Sequence, residues 1–215
     1  MGITELFIAG GVVMWPLLAF SVVGTALIAE RIAFWFRVTQ RQRRVVRDAL
    51  SAYQQNPDVA LKKLQANADL PIARIFLAAL ELEDPNPEEF RLALESEAQA
   101  EIPVLKRFNV VFDTIVSLSP LLGLLGTVLG LINSFASLTL GDAGSTKTTG
   151  VTAGISEALV STASGLVVAM FVLFFSNAFR GFYLRQIALI QEYSGQLELL
   201  YRRRYERGSR HASTR

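Results

Sequence analysis

The sequence predicts an all-α integral membrane protein with three transmembrane helices, a helical cytoplasmic domain and cytoplasmic extensions of the last two spans. Three observations carry that expectation. The 215 residues are 51% hydrophobic and only 19% charged, with a mean hydropathy of +0.36, which is more apolar side chain than a water-soluble domain of this size needs. Asp, Glu, Lys and Arg are missing from Leu6 to Ala29, from Thr114 to Gly141 and from Ala158 to Phe179, and each run exceeds the roughly 20 residues that cross hydrocarbon. The arginines, finally, crowd at one end of each run although the net charge is only +2. A disordered chain, a disulfide scaffold and an ordinary soluble enzyme are thereby excluded. Without cysteine there is no thiol chemistry and no thiolate metal site.

The first span is placed at 6–29. No Lys or Arg precedes it, and Glu30-Arg31 follows without a small-residue cleavage site, so it reads as a retained anchor instead of a secretory signal. Arg31, Arg37, Arg41, Arg43, Arg44 and Arg47 follow it, Lys106 and Arg107 precede the second span, and Arg180, Arg185 and Arg202 to Arg204 follow the third. The positive-inside rule puts those flanks in the cytoplasm, with the N-terminus outside and the C-terminus inside.

Residues 30–107 then form a cytoplasmic domain. Asn56-Pro57, Asp69-Leu70-Pro71 and Asn86-Pro87 resemble caps with proline in the first helical turn, and Glu88 and Glu89 suit the positive end of a helix dipole. Ile72, Ile75, Phe76, Ala79 and Leu80 share one helical face. No segment reads as a strand. The second span is placed at 108–140 and a short non-cytoplasmic loop at 141–153. The third span takes 154–180, and 181–215 form a C-terminal helix and tail, frayed from about residue 207 and holding a solvated His211. Tyr183, Ile187, Ile190, Ser194, Leu197 and Tyr201 step by four and three, a seam that packs on a neighbouring helix or lies on anionic head groups.

Lipid offers no hydrophobic reward for helix association, so spans meet where small residues let backbones approach or where polar groups find partners. Gly123, Thr127, Gly130 and Ser134 follow a 4, 3, 4 spacing in span two, with Gly126 and Gly130 a small-x-x-x-small pair. Ala158, Thr162, Gly165 and Ala169 repeat the spacing in span three, with Ser161 and Gly165 as the second such pair. These faces either pack together, each hydroxyl bonded to its own helix, or line a narrow hydrated passage. Glu157 opens span three. A carboxylate at membrane depth costs about 3 kcal/mol and marks a functional candidate, while at the interface it would only favour a helix N-terminus. Asp113 stands at the cytoplasmic entrance of span two, either as a boundary residue or as the mouth of such a passage.

The run Ser119-Pro120-Leu121-Leu122-Gly123-Leu124-Leu125-Gly126-Thr127-Val128-Leu129-Gly130, followed by Ser134-Phe135, resembles the second-span signature of the ExbB/TolQ/MotA proton-channel family. Gly154-Ile155-Ser156-Glu157-Ala158-Leu159, continuing through Thr162, Gly165-Leu166 and Asn177, resembles its third-span signature. Gly10-Gly11 and Met14-Trp15-Pro16-Leu17 are similar to ExbB-type members. The resemblance implies a bacterial inner-membrane subunit, N-terminus periplasmic, in a homopentameric ring around an ExbD-like single-span partner that carries the protonatable intramembrane Asp. Protons flowing through would energise a TonB-type periplasm-spanning protein for uptake across the outer membrane. Thr127, Thr162 and Glu157 take the family's proton-pathway positions. A TolQ-like envelope-maintenance motor is the alternative output, and a non-conducting membrane scaffold the alternative of another class. Relatives carry a third-span proline where Met170-Phe171 stand here, so span three is expected to run straight.

No phosphate loop, H-E-x-x-H pair or Ser-His pairing supports an enzyme, a cofactor or a metal site. The arginine clusters flank spans, where topology and membrane lipid account for them without nucleic acid.

Overall fold

The computed structural model describes the backbone of residues 7, 9–139 and 146–213, with side chains over 7, 9–137 and 150–207. In chain order the helices are α1 (Met14–Gln55), α2 (Pro57–Gln65), α3 (Pro71–Leu80), α4 (Pro87–Leu105), α5 (Asn109–Thr139) and α6 (Thr146–Ser213). No strand occurs among the described residues. Three of the helices, α1, α5 and α6, carry stretches long and apolar enough to cross a membrane. The chain forms two compact units, one of residues 1–31 and 108–179, the other of 32–107 and 180–215.

The first unit contains the three apolar stretches. Leu17 and Ile28 of α1, Phe112 and Ile115 of α5, and Ala169, Val172 and Phe179 of α6 are buried in it. A Cβ on Gly24 would lie 3.0 Å from Val172 Cγ2 and 3.7 Å from Ile115 Cδ1, so α1 crosses both other spans at close range. Phe171 and Phe174 point outward, as do Leu121, Leu124, Val128 and Phe135 of α5. Such a surface suits acyl chains or neighbouring proteins. Pro120 sits inside α5 without ending it, and α6 passes Met170-Phe171 as unbroken helix. Arg31, read from the sequence only as a flanking charge, is 2% exposed.

The second unit is a helical cluster organised by its caps. Asn56 accepts a hydrogen bond from the Asp58 N–H at 2.9 Å. Asn86 accepts from Glu88 and Glu89 while its own N–H donates to Glu89 Oε2 at 2.8 Å, a complete capping box. The third cap differs from expectation. Leu70 holds the N-cap of α3 with no side-chain bond, because Asp69 is drawn instead into a 2.6 Å ion pair with Arg41. Helix α3 is buried nearly all round through Ile72, Ala73, Ile75, Phe76, Leu77 and Ala79, not on one face alone. Glu101 is buried and takes both Nε and Nη2 of Arg74, the latter at 2.6 Å, and this bond holds the guanidinium above its ordinary pKa.

The C-terminal seam packs within its own chain. Ile190 and Leu197 are buried, the Gln186 amide donates to Gln42 Oε1 at 2.6 Å, and Tyr201 stacks on Phe90 at 4.0 Å while its hydroxyl donates to the Pro85 carbonyl. A helix lying alone on head groups would leave these residues exposed. Four boundaries also differ from the sequence reading. The run placed as span one at 6–29 is broken by a turn at residues 10–13, and α1 begins at Met14. The helix leading to span two is interrupted between Leu105 and Asn109, where Phe108 adopts φ +68, a costly value for a bulky side chain. Of the loop placed at 141–153, residues 140–145 lie outside the described residues, but α6 is already helical from Thr146. A Cβ on Gly150 would stand 2.9 Å from Ser137 Cβ, so these early turns pack closely on α5. The tail expected to fray from about 207 is helical in its backbone to Ser213. The side chain of His211 lies outside the described residues.

Candidate functional site

The site grows from the register between α5 and α6. Neighbouring antiparallel helices approach closely only where neither carries a bulky side chain. A Cβ on Gly123 would meet Thr162 Cα at 3.0 Å and the Ser161 carbonyl at 3.1 Å, and one on Gly130 would meet the Gly154 carbonyl at 2.6 Å and the Ala158 N at 2.9 Å. Gly126 rests against the Ser161 side chain, and Gly165 against the Ser119 carbonyl and the Gly123 backbone. Gly123, Gly126, Gly130, Ser134, Ala158, Ser161, Gly165 and Ala169 are all buried. The small residues of the two stripes are thus brought together inside one chain, backbone against backbone.

Thr127, Thr162 and Glu157 stand at the rim of this seam, each half-buried. Thr127 donates to the Leu124 carbonyl of its own helix at 2.6 Å. Thr162 instead donates across the seam to the Gly123 carbonyl at 3.0 Å. Ser161 donates to the Ala158 carbonyl at 2.9 Å, and Ser134 to those of Gly130 at 3.0 Å and Val151 at 3.2 Å. A hydroxyl whose single hydrogen is committed to a carbonyl presents only oxygen lone pairs to whatever lies beside it. Thr127 and Thr162 therefore offer acceptors, suited to a hydronium, a water or a protonated carboxylic acid.

The three residues lie close in level. With a rise of about 1.5 Å per residue, Thr127 lies about 6 Å along α5 from Gly123, and Glu157 about 7.5 Å along α6 from Thr162. Because the helices are antiparallel, both displacements run the same way. Thr127 and Glu157 stand near one level, with Thr162 about a turn away. Asp113 is elsewhere, exposed on the first turns of α5. No group of three or more potential metal ligands occurs among the described residues.

Two features lay beyond the sequence reading. The cross-helix bond of Thr162 depends on register, which no local pattern encodes. The carboxylate of Glu157 lies directly against Gly11, where a Cβ would fall 2.8 Å from Glu157 Cδ. The paired glycines ahead of Met14 were the available signal.

Comparison with known proteins bears on the same stretch. Residues 67–192 match the MotA/TolQ/ExbB proton channel family. The chain is 60% identical over 91% of its length to biopolymer transport protein ExbB-like 3 of Synechocystis sp., covering 93% of that protein. To ExbB-like 1 of the same organism it is 40% identical, over 91% of this chain and 78% of the relative. The Tol-Pal system protein TolQ of Pseudomonas aeruginosa is 29% identical over 73% of this chain and 78% of its own. A family match that spans the whole of the second and third membrane stretches, two ExbB-like relatives aligned over 91% of this chain and three membrane-length helices agree: the chain is an ExbB-like member of the MotA/TolQ/ExbB proton channel family.

Proposed function

We propose that this protein is the channel subunit of a proton-driven motor in a bacterial inner membrane. Five copies surround the helix of an ExbD-like single-span partner whose intramembrane Asp is alternately protonated and deprotonated. The N-terminus is periplasmic and the C-terminus cytoplasmic, a reading supported by the arginine flanks. Thr127, Thr162 and Glu157 form the wall past which the proton moves, and the work is delivered to a TonB-type protein for uptake across the outer membrane. Asp113 marks the cytoplasmic mouth.

The supporting observation is the division of the seam. Its small residues are consumed in packing, while two hydroxyls and a carboxylate remain half-open at the rim. A carboxylate facing acyl chains costs about 3 kcal/mol, so a shared aqueous axis or a polar partner is the favourable surrounding. The two hydroxyls offer lone pairs, and the partner's acid supplies the proton. Each charge crossing the membrane releases about 2.3 kcal/mol per 100 mV, roughly four times RT. A TolQ-like output remains the second reading, favoured by the TolQ relative that aligns over 78% of its length.

The test is proton flux in vesicles holding this chain with its single-span partner. Thr162→Val keeps the shape but removes the oxygen that reaches Gly123. The expected result is lost flux with assembly unchanged, whereas wild-type flux would take Thr162 out of the pathway. A complex that never conducts would leave only the scaffold reading. A knockout losing nutrient uptake, as against one with a leaking envelope, separates the ExbB-like from the TolQ-like output.

A further inference from the structure

We propose that Gly11 is a positioning residue for Glu157. The turn ahead of α1 would seat the Glu157 carboxylate, so that the start of span one sets where the acid stands. This rests on the reading of Glu157 as part of the proton pathway.

Two independent observations restrict position 11 to glycine. Its φ is +69, a left-handed conformation that costs other residues strain. The space for a side chain is also already taken: a Cβ there would overlap Glu157 Oε1, with Cδ at 2.8 Å and Cγ at 3.2 Å. The carboxylate therefore lies on the bare α-carbon of Gly11. The same turn also touches α6 three residues on, since a Cβ on Gly10 would come 3.3 Å from Val160 Cγ1. It is pinned in turn to the start of α1 by hydrogen bonds from Met14 N to the Gly11 carbonyl at 3.1 Å and from Trp15 N to the Val12 carbonyl at 3.3 Å. Any side chain at position 11 must push the carboxylate off its seat or push the turn off α6.

The geometry can be read without activity. The chain has no cysteine, so Gly11→Cys with Glu157→Cys introduces a single thiol pair. In a disulfide each Cβ stands about 3 Å from the far sulfur, given the S–S and C–S bond geometry. The 3.2 Å from the Gly11 Cβ position to Glu157 Cγ, where that sulfur would sit, matches. The pair is expected to cross-link within one chain under mild oxidation, and failure to do so would overturn the seat.

Function is tested in vesicles holding the complex with the single-span partner. Gly11→Ala is expected to lower proton flux about tenfold or more, as small displacements of a working group do. Gly11→Asn tolerates positive φ, and it is expected to lose flux equally while keeping the turn, which separates crowding from backbone strain. Glu157→Asp shortens the acid by one methylene and withdraws it from position 11. Combined with Gly11→Ala, it is expected to bring flux back to within about threefold of Glu157→Asp alone. A double variant no better than Gly11→Ala would overturn the proposal, as would wild-type flux in Gly11→Asn. Wild-type flux in Glu157→Gln would overturn the pathway reading and this proposal with it. Loss of flux in Glu157→Gln beside wild-type flux in Gly11→Ala would overturn this proposal alone.

Discussion

One chemical change at two glycines should move stability in opposite directions. In Gly130→Ala the new Cβ would lie 2.6 Å from the Gly154 carbonyl oxygen, 2.9 Å from Ala158 N and 3.0 Å from Ala158 Cβ. Ordinary contact begins near 3.4 Å, so the shortest of these is deficient by 0.8 Å. The two closest atoms are backbone, and no rotamer change relieves them. The α5–α6 seam must part by several tenths of an ångström, which loosens the neighbouring Gly126 and Gly123 contacts as well. Overpacking of this size costs about 1–3 kcal/mol. Gly181→Ala meets nothing within 4 Å and lies mid-helix in α6, where alanine is favoured over glycine by up to about 1 kcal/mol. Thermal or denaturant unfolding in mild detergent, followed side by side, should show Gly130→Ala melting below the parent and Gly181→Ala at or above it. Equal stability of the two variants would refute backbone contact between spans two and three.

Other consequences concern the second unit. Asn86→Ala removes a full capping box and should cost about 1 kcal/mol, read as earlier unfolding of that unit by hydrogen exchange along α4. Arg74→Met strands a buried Glu101 carboxylate and should cost about 3 kcal/mol, most of it regained when Glu101→Leu is added; additive losses in denaturant melts would count against the buried pair. The Tyr201 phenol is held above its ordinary value of 10.0, first by burial and then by Tyr205, Asp84 and Glu89. Its stabilisation is therefore complete below pH 10 and is lost as pH rises through the higher folded value. Tyr201→Phe should flatten that alkaline decline in a stability-against-pH series, and an unchanged slope would argue against it.

The spans were legible because charge is costly in hydrocarbon, and its absence over three long runs leaves few alternatives. The caps at Asn56 and Asn86 were legible for a different reason: the bonds are made within three residues, so local sequence contains both partners. Asp69 looked the same and behaves otherwise, because Arg41, far back in the chain, competes for it. Burial of α3 on nearly every side likewise depends on what surrounds it. Within the site, the 4, 3, 4 spacing marked which residues share a face. It could not say which of them pack and which stand at the rim, since that follows from the register of α5 against α6. Residues 141–153 read as a loop ahead of span three, yet the small size of Gly150 and Gly154 lets the helix begin early against Ser137 and Ser134.

Contact between bare backbones has a mechanical corollary. Side chains can repack when helices slide, but peptide groups already touching cannot be compressed, and the bond from Thr162 to the Gly123 carbonyl would break with even a small axial shift. Helices α5 and α6 of one chain should travel as a single stave. Any movement that accompanies proton passage must then be accommodated around that stave, either against α1 or against adjoining molecules.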